Sequence, residues 1–358
     1  MVKVYTFLLL PLSKVVSLSW SLARRSFLTK AAITTSVLVG GTAINKIINV
    51  DGIGAPFTPE PSSLAGKTIL ITGGNTGLGA ESAKRLALGG ARVVITSRSL
   101  TKGQTTVERI ISETSNSDIH VLPLDLCDLE SVRNFDKLWS EKFGNGKIDV
   151  LLNNAGVMAI PTLELTKDGY EKQFATNHLG HFLLTARLAK FFNKESRVIN
   201  VSSTAHRIAS KGLSPDIAKR ESAYGAWTAY GESKLANILF TNELNRRNIV
   251  QSVSLHPGVV RTELARYIYE PSDANSSSLT SRALQVLFSA AFIPFTKDVQ
   301  HGASNQVFLA SFANLPTEPG MSTYYDNKKP TKPCDPANDE SAAQALWDLS
   351  NELTKANF

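Results

Sequence analysis

Six short runs of aliphatic and β-branched residues recur along the chain from Lys67 onward, and they restrict its fold more than any other feature. They are Thr68 to Thr72, Arg92 to Thr96, Ile119 to Leu122, Ile148 to Leu152, Val198 to Val201 and Ser252 to Leu255. Several are apolar at consecutive positions, the pattern of strands buried on both faces of a parallel sheet. Stretches with helical periodicity separate them, such as Gly79 to Leu88, closed by Gly89 and Gly90 in the manner of a helix C-terminus. This alternation predicts an α/β fold, a doubly wound parallel sheet with helices on both faces. No internal repeat or low-complexity tract interrupts the rhythm.

Thr72-Gly73-Gly74-Asn75-Thr76-Gly77-Leu78-Gly79 joins the first run to the first helix. Glycines there permit a tight turn and let the backbone approach a pyrophosphate seated on the positive end of the helix. A glycine-rich loop alone is a weak signal, but its place between first strand and first helix makes it a strong one. The spacing of Gly73, Gly77 and Gly79 departs from GxGxxG. It resembles the TGxxxGxG loop of the short-chain dehydrogenase/reductase family, whose members have the Rossmann fold. The resemblance implies dinucleotide contacts from Gly73, Asn75, Thr76, Gly77, Leu78 and Gly79.

The second run ends in Thr96-Ser97-Arg98, without a carboxylate. An acidic residue there would bond the ribose hydroxyls of NAD, whereas a basic one accepts the extra phosphate of NADP. Arg98, with Lys102 nearby, therefore points to NADP(H); the bland alternative is an exposed loop arginine. The resemblance also assigns Asp125 and Leu126 to adenine. In Asn153-Asn154-Ala155-Gly156 it assigns Asn153, Ala155 and Gly156 to the cofactor floor. In His256-Pro257-Gly258-Val259-Val260-Arg261-Thr262 it assigns Pro257, Gly258, Val260 and Thr262 to the nicotinamide end.

Tyr230-Gly231-Glu232-Ser233-Lys234 sets a tyrosine and a lysine on one face of a helix. Carbonyl reduction needs a proton donor as hydride arrives, and alcohol oxidation needs the reverse. A free tyrosine, with a pKa of about 10, is a poor base at neutral pH. A cation beside the phenolate lowers that value, so Lys234 is expected to make Tyr230 usable. Alone, this spacing is equally that of an amphipathic surface pair. Upstream, Val198-Ile199-Asn200-Val201-Ser202-Ser203 is a strand ending in two hydroxyls, of which one side only should enter a site. The family resemblance selects Ser203 for the substrate oxygen and leaves Ser202 structural. It also makes Asn177 the residue that bends its helix and anchors a water in the relay to Lys234. Tyr230 and Lys234 are cofactor contacts as well as catalytic residues in this reading. His178 and His181, with no third ligand in view, are packing histidines and no metal is expected.

The resemblance spans roughly residues 64–350 and is nearest to the retinol dehydrogenase-like branch. It is carried there by Asn177-His178-Leu179-Gly180-His181-Phe182, Ser233-Lys234-Leu235-Ala236-Asn237, Leu255-His256-Pro257-Gly258 and the long insertion between Ser203 and Tyr230. That branch implies a lipophilic carbonyl or alcohol substrate of retinoid, lipid aldehyde or steroid type, and often a membrane. Its substrate lid falls at about 265–296, where Leu284, Val286, Leu287, Phe288, Phe292, Ile293 and Phe295 suit a lipophilic ligand or a bilayer. A core helix accounts equally well for Leu284 to Ala291. The competing functional reading is a catalytically idle scaffold or translocon-associated protein that senses the dinucleotide. An α/β hydrolase is excluded by the lack of a G-x-S-x-G elbow. A homo-oligomer is compatible with all of these.

Charge adds one domain boundary. The net charge is +7, yet residues 1–50 hold Lys3, Lys14, Arg24, Arg25, Lys30 and Lys46 with no Asp or Glu, so the remainder is close to neutral. A nucleic-acid reader would carry its basic patch on the folded domain, and no nucleic-acid partner is expected. Two interrupted apolar stretches, Val4 to Leu22 and Ala31 to Val50, lie in this segment. They fit an anchor or an organellar targeting leader better than core helices. Arg24-Arg25-Ser26-Phe27-Leu28 has the look of a twin-arginine export signal, but no convincing cleavage site follows. The expected organisation is an anchor or targeting segment over 1–50, a Gly/Pro-rich linker over 51–63 and a catalytic domain over 64–358. The expected location is a membrane of the endoplasmic reticulum, mitochondrion or another organelle, with the cytoplasm as alternative. Cys127 and Cys334 lack ligand spacing, which leaves one small buried thiol and one exposed near the end.

Overall fold

In the first strand, Ile69 and Ile71 pack on one side of the sheet and Leu70 on the other, and all three are fully buried. The same division separates Val93 and Ile95 from Val94, Val150 and Leu152 from Leu151, and Ile199 and Val201 from Val198. A strand with two buried faces needs helices on both, and the chain supplies them. The computed structural model describes residues 55–258, 260, 297–311 and 323–358.

The chain runs β1 (Thr68–Ile71), α1 (Gly77–Leu88), β2 (Arg92–Ser97), α2 (Leu100–Thr114), β3 (Ile119–Pro123), α3 (Leu129–Arg133), α4 (Phe135–Phe143) and β4 (Val150–Asn153). It continues through α5 (Lys172–Phe174), a π-helical turn (Ala175–Leu179), α6 (Gly180–Leu188), β5 (Arg197–Val201), α7 (Ala226–Arg246) and β6 (Gln251–His256). The last elements are α8 (Val299–Ser311), β7 (Tyr324–Asp326), β8 (Lys329–Pro330) and α9 (Glu340–Thr354). The sheet order is β3-β2-β1-β4-β5-β6-β7-β8, parallel throughout except for the final β7/β8 pair. This is the doubly wound α/β fold expected, and the order reverses direction between β1 and β4. Crevices at such a switch point, above the carboxyl ends of the strands, are where these sheets bind ligands.

Helices α1, α2 and α8 cover one face through Leu86, Ile110 and Val307; α4, α6 and α7 cover the other through Trp139, Phe182 and Phe240. Helix α7 is buried almost all round, as a helix caught between the sheet and α9 must be. Its one acidic residue near the site, Glu232, is neutralised by Arg220 at 2.7 Å and accepts from Ser214 N and Oγ. The insertion between β5 and α7 is thereby tied to α7.

Before β1, Phe57 stacks edge-on against Phe308, and its carbonyl accepts from the buried Arg85. Among the described residues no helix is long and apolar enough to cross a membrane. The segment 1–50, the lid at about 265–296 and Thr262 lie outside the described residues. The cysteines differ from expectation: Cys334, near the end, is buried with its amide donating to His206 Nε2, while Cys127 is half-buried.

Candidate active site

A cleft of about 340 Å³ opens above β1, β2, β3 and β4. Its walls bring together Gly73, Asn75, Thr76, Gly77, Leu78 and Gly79 from the first loop, Arg98 and Lys102 from the second, Asp125 and Leu126 from the third, and Ala155 and Gly156 from the fourth. The first loop fits a pyrophosphate for reasons that its own atoms supply. Gly73 and Gly77 take φ of +63° and +54°, a region where side chains are rarely tolerated. A methyl group on Gly79 would come within 2.4 Å of the Gly73 carbonyl oxygen and 2.7 Å of Asn154 Nδ2. Helix α1 starts at Thr76 without a side-chain cap and has no acidic residue in its first turn, so its positive end is left for an anion.

Not every expected contact reaches this cleft. Asn153 is buried inside the sheet, donating to Asn200 Oδ1 at 2.8 Å. Its neighbour Asn154 lines the cleft instead and braces the loop by donating to the Thr72 carbonyl at 2.8 Å. Pro257, Gly258 and Val260 follow β6, outside the cleft walls. Gly258 has φ of +96°, and Val260 packs towards Gly302 at the start of α8. Asp125 accepts from Cys127 N across its own turn.

Of the residues expected to move protons, Asn177 and Lys234 meet beside Gly156. A methyl group there would lie 3.0 Å from Asn177 Oδ1 and 3.5 Å from Lys234 Nζ. Tyr230 and Lys234 are both buried on α7, with the lysine nitrogen 5.7 Å from the tyrosine ring centre. Lys234 Nζ donates to the Val201 carbonyl at the end of β5 at 3.0 Å. Ser202 turns inward to donate to the Lys234 carbonyl at 2.7 Å, whereas Ser203 faces Tyr230 and accepts from Ala205 N at 3.1 Å. Asn177 sits in the π-helical turn, clamped by both edges of one peptide pair: Val157 N donates to its Oδ1 and its Nδ2 donates to Val157 O.

One expectation is reversed. Lys234 was to lower the pKa of Tyr230, but burial pushes the phenol up to about 12, against a smaller downward pull from the Ser203 hydroxyl. Burial also brings Lys234 down to about 8. Desolvation penalises the charged form of each group and is the main cause of both shifts.

His178 and His181 are both buried and held neutral, at about 3 and about 4, chiefly by burial. His178 Nε2 pairs with Ser350 Oγ at 2.8 Å. His181 reaches Thr72 Oγ1 and the Asn177 carbonyl instead. Among the described residues no cluster of His, Cys, Asp or Glu could hold a metal.

Sequence reasoning missed Thr72, Asn154, Ser233 and Gln306 as supports. Gln306 on α8 donates to Leu78 O, Ser82 Oγ and Asn154 Oδ1, joining the glycine loop to the cleft floor. Nothing local marks Gln306, because its partners lie more than 150 residues away in sequence.

With that geometry in hand, comparison with known proteins is direct. The sequence pattern of the short chain dehydrogenase family matches residues 67–273. Human retinol dehydrogenase 12 is 39% identical over 297 residues, 81% of this chain and 87% of that protein. A crystal structure of a Mycobacterium paratuberculosis protein is 33% identical, with a TM-score of 0.60 over 84% of this chain and 98% of that one. A short chain dehydrogenase from Burkholderia cenocepacia J2315, in complex with NADP, is 25% identical with a TM-score of 0.50, over 69% of this chain and 91% of that one. The chain belongs to the short chain dehydrogenase family of oxidoreductases.

Proposed function

We propose that the chain is an NADP(H)-dependent oxidoreductase that interconverts a lipophilic alcohol and its aldehyde or ketone, with Tyr230 as general acid and base. The observation that carries this reading is that Asn177 and Lys234 meet at Gly156, which lines the glycine-loop cleft, with Tyr230 beside Lys234 and Ser203. A bound reduced nicotinamide supplies the hydride. Tyr230 gives a proton to the carbonyl oxygen as charge develops there, and a phenol raised to about 12 is fully protonated for that task at neutral pH. The Ser203 hydroxyl polarises the same oxygen. Lys234 holds the next proton, and Asn177 keeps the backbone around it in place. In oxidation the proton moves the other way, and the Ser203 hydrogen bond helps Tyr230 to release it.

Arg98 and Lys102 on the cleft wall, where β2 ends without a carboxylate, favour the phosphorylated dinucleotide. The NADP complex of the Burkholderia relative is in keeping with that choice. Similarity to a protein named retinol dehydrogenase supports a retinoid or comparable lipophilic substrate. In the same reading the catalytic domain spans 64–358 with its lid at about 265–296. Residues 1–50 attach it to an organelle membrane through the 51–63 linker.

The test follows NADPH consumption by the full-length chain against retinal, aliphatic aldehydes and steroid ketones, with NADH in parallel. The reading predicts turnover with at least one of them and a preference for NADPH. Arg98→Ala narrows that preference about tenfold, the worth of one charge-assisted contact. Equal use of NADH, or a preference untouched by Arg98→Ala, contradicts the cofactor assignment. Dinucleotide binding without turnover of any of the three classes favours the sensing role instead.

A further inference from the structure

A buried chain of hydrogen bonds runs from the cleft floor to the proton relay, and His181 is its middle link. The proton positions follow from groups whose roles are fixed. The amides of Asn154 and Ala155 can only donate, and they give to Thr72 Oγ1 at 2.9 and 3.0 Å. The Thr72 hydroxyl then has one proton to place. Its nearer acceptor is His181 Nε2 at 2.9 Å, against Leu152 O at 3.4 Å. On the far side of the ring, His181 Nδ1 lies 3.0 Å from the Asn177 carbonyl, which can only accept. Nδ1 therefore carries the ring proton and Nε2 is bare, an assignment drawn from the network. A neutral imidazole satisfies both partners, and burial keeps the ring neutral, at about 4.

Beyond His181 the chain continues in both directions. Asn177 Nδ2 donates to Ser233 Oγ at 2.9 Å, and Ser233 Oγ donates to the Tyr230 carbonyl at 2.7 Å. On the cleft side, Asn154 binds the Thr72 carbonyl and accepts from Gln306. Thr72, Asn177, His181 and Ser233 are all buried. A π-helical turn is a rare conformation within an α-helix and persists only where its surroundings hold it. Here the side chain of Asn177 is held by Val157 and its carbonyl by His181.

We propose that His181 is a positioning residue that fixes the Asn177 carbonyl in the π-turn and couples it to the dinucleotide-binding loop through Thr72. The proposal rests on the catalytic reading of Asn177 and Tyr230 given above. Its two ring nitrogens do separate work: Nδ1 serves proton transfer, and Nε2 serves the cleft. A residue that only fills space would make neither distinction.

Three variants of the full-length chain divide those jobs. His181→Asn presents an amide donor near the Nδ1 position and loses the acceptor for Thr72. His181→Gln presents an acceptor near the Nε2 position and loses the donor to Asn177. His181→Phe keeps the ring volume and loses both. The readouts are kcat with NADPH and the best carbonyl substrate, the Kd of NADPH alone by protein fluorescence, and thermal melting.

The proposal predicts a crossover. His181→Gln and His181→Phe lower kcat by about ten- to a hundredfold, the scale of a misplaced relay, and His181→Asn lowers it far less. Kd rises more in His181→Asn and His181→Phe than in His181→Gln. Thr72→Val, which cuts the same chain without touching the π-turn, also weakens NADPH binding more than it slows kcat. It keeps the test decisive if a His181 variant does not melt cooperatively. An order that follows side-chain volume, with His181→Phe mildest in both kcat and Kd, overturns the proposal. So does a Thr72→Val variant that slows kcat more than it weakens binding. Tyr230→Phe runs alongside: if it retains turnover, the catalytic reading fails, whatever the His181 variants do.

Discussion

Tyr230 and Lys234 stand four residues apart, and burial acts on both by disfavouring the ion. The phenol rises to about 12 and the ammonium falls to about 8, so both groups shift toward their neutral forms while Lys234 stays mainly cationic at neutral pH. This yields a signed pH prediction. Lys234 is cationic below about 8 and loses its charge as pH rises through that value, whereas Tyr230 stays protonated until about 12. Carbonyl reduction should decline as pH rises through about 8, measured as kcat across neutral to alkaline pH. Lys234→Arg, which remains charged, should push that decline upward even if it is slower throughout. A decline that begins only near the ordinary lysine value, or one that does not move in Lys234→Arg, contradicts the assignment. The identities of these residues were legible from YxxxK and the family resemblance. The sign of the tyrosine shift was not, because a sequence displays neighbours but not the exclusion of water. The same blindness hid Asn154, since either asparagine of the pair fits the motif and only the pleat of β4 decides which one turns outward.

At the scale of elements, the six apolar runs match β1 to β6 with ends displaced by at most two residues. They were legible because burial on both faces imposes apolar residues at consecutive positions. Strands β7 and β8 were not anticipated: at three and two residues they are too short to display a period, and β7 exists only because β6 offers it an edge. A bend at Asn177 was expected from the family resemblance, but its π-helical form was hidden. Its cause is the set of bonds from Asn177 to Val157 and from His181 to Asn177, and residue 157 lies 20 positions away. The N-terminal segment is an element argued from composition alone. A fluorescent fusion lacking residues 1–50 should leave the membrane fraction and become soluble. Retained attachment would shift the membrane contact to the apolar residues at about 265–296, the proposed lid.

For the whole molecule, the proposed function draws on both halves of the sheet. The loops after β1 to β4 build the cleft, while β5 and α7 bring Ser203, Tyr230 and Lys234 to its side. Helix α8, which follows the segment at about 265–296, packs back on the glycine loop through Gln306, and α9 backs α7. The alternation of strand and helix made this architecture readable. It could not reveal the buried polar chain that joins the halves, because the links that make it continuous, Thr72 to His181 and Asn177 to Ser233, join residues 109 and 56 positions apart. The central claim is that one crevice holds both the dinucleotide and a working tyrosine relay. It is tested most directly by comparing Tyr230→Phe with the unaltered chain for NADPH binding and for NADPH consumption with a carbonyl substrate. The account predicts binding within about threefold of the unaltered chain and turnover reduced by at least a hundredfold, as loss of a general acid implies. Turnover that survives in Tyr230→Phe, with binding intact, would contradict it.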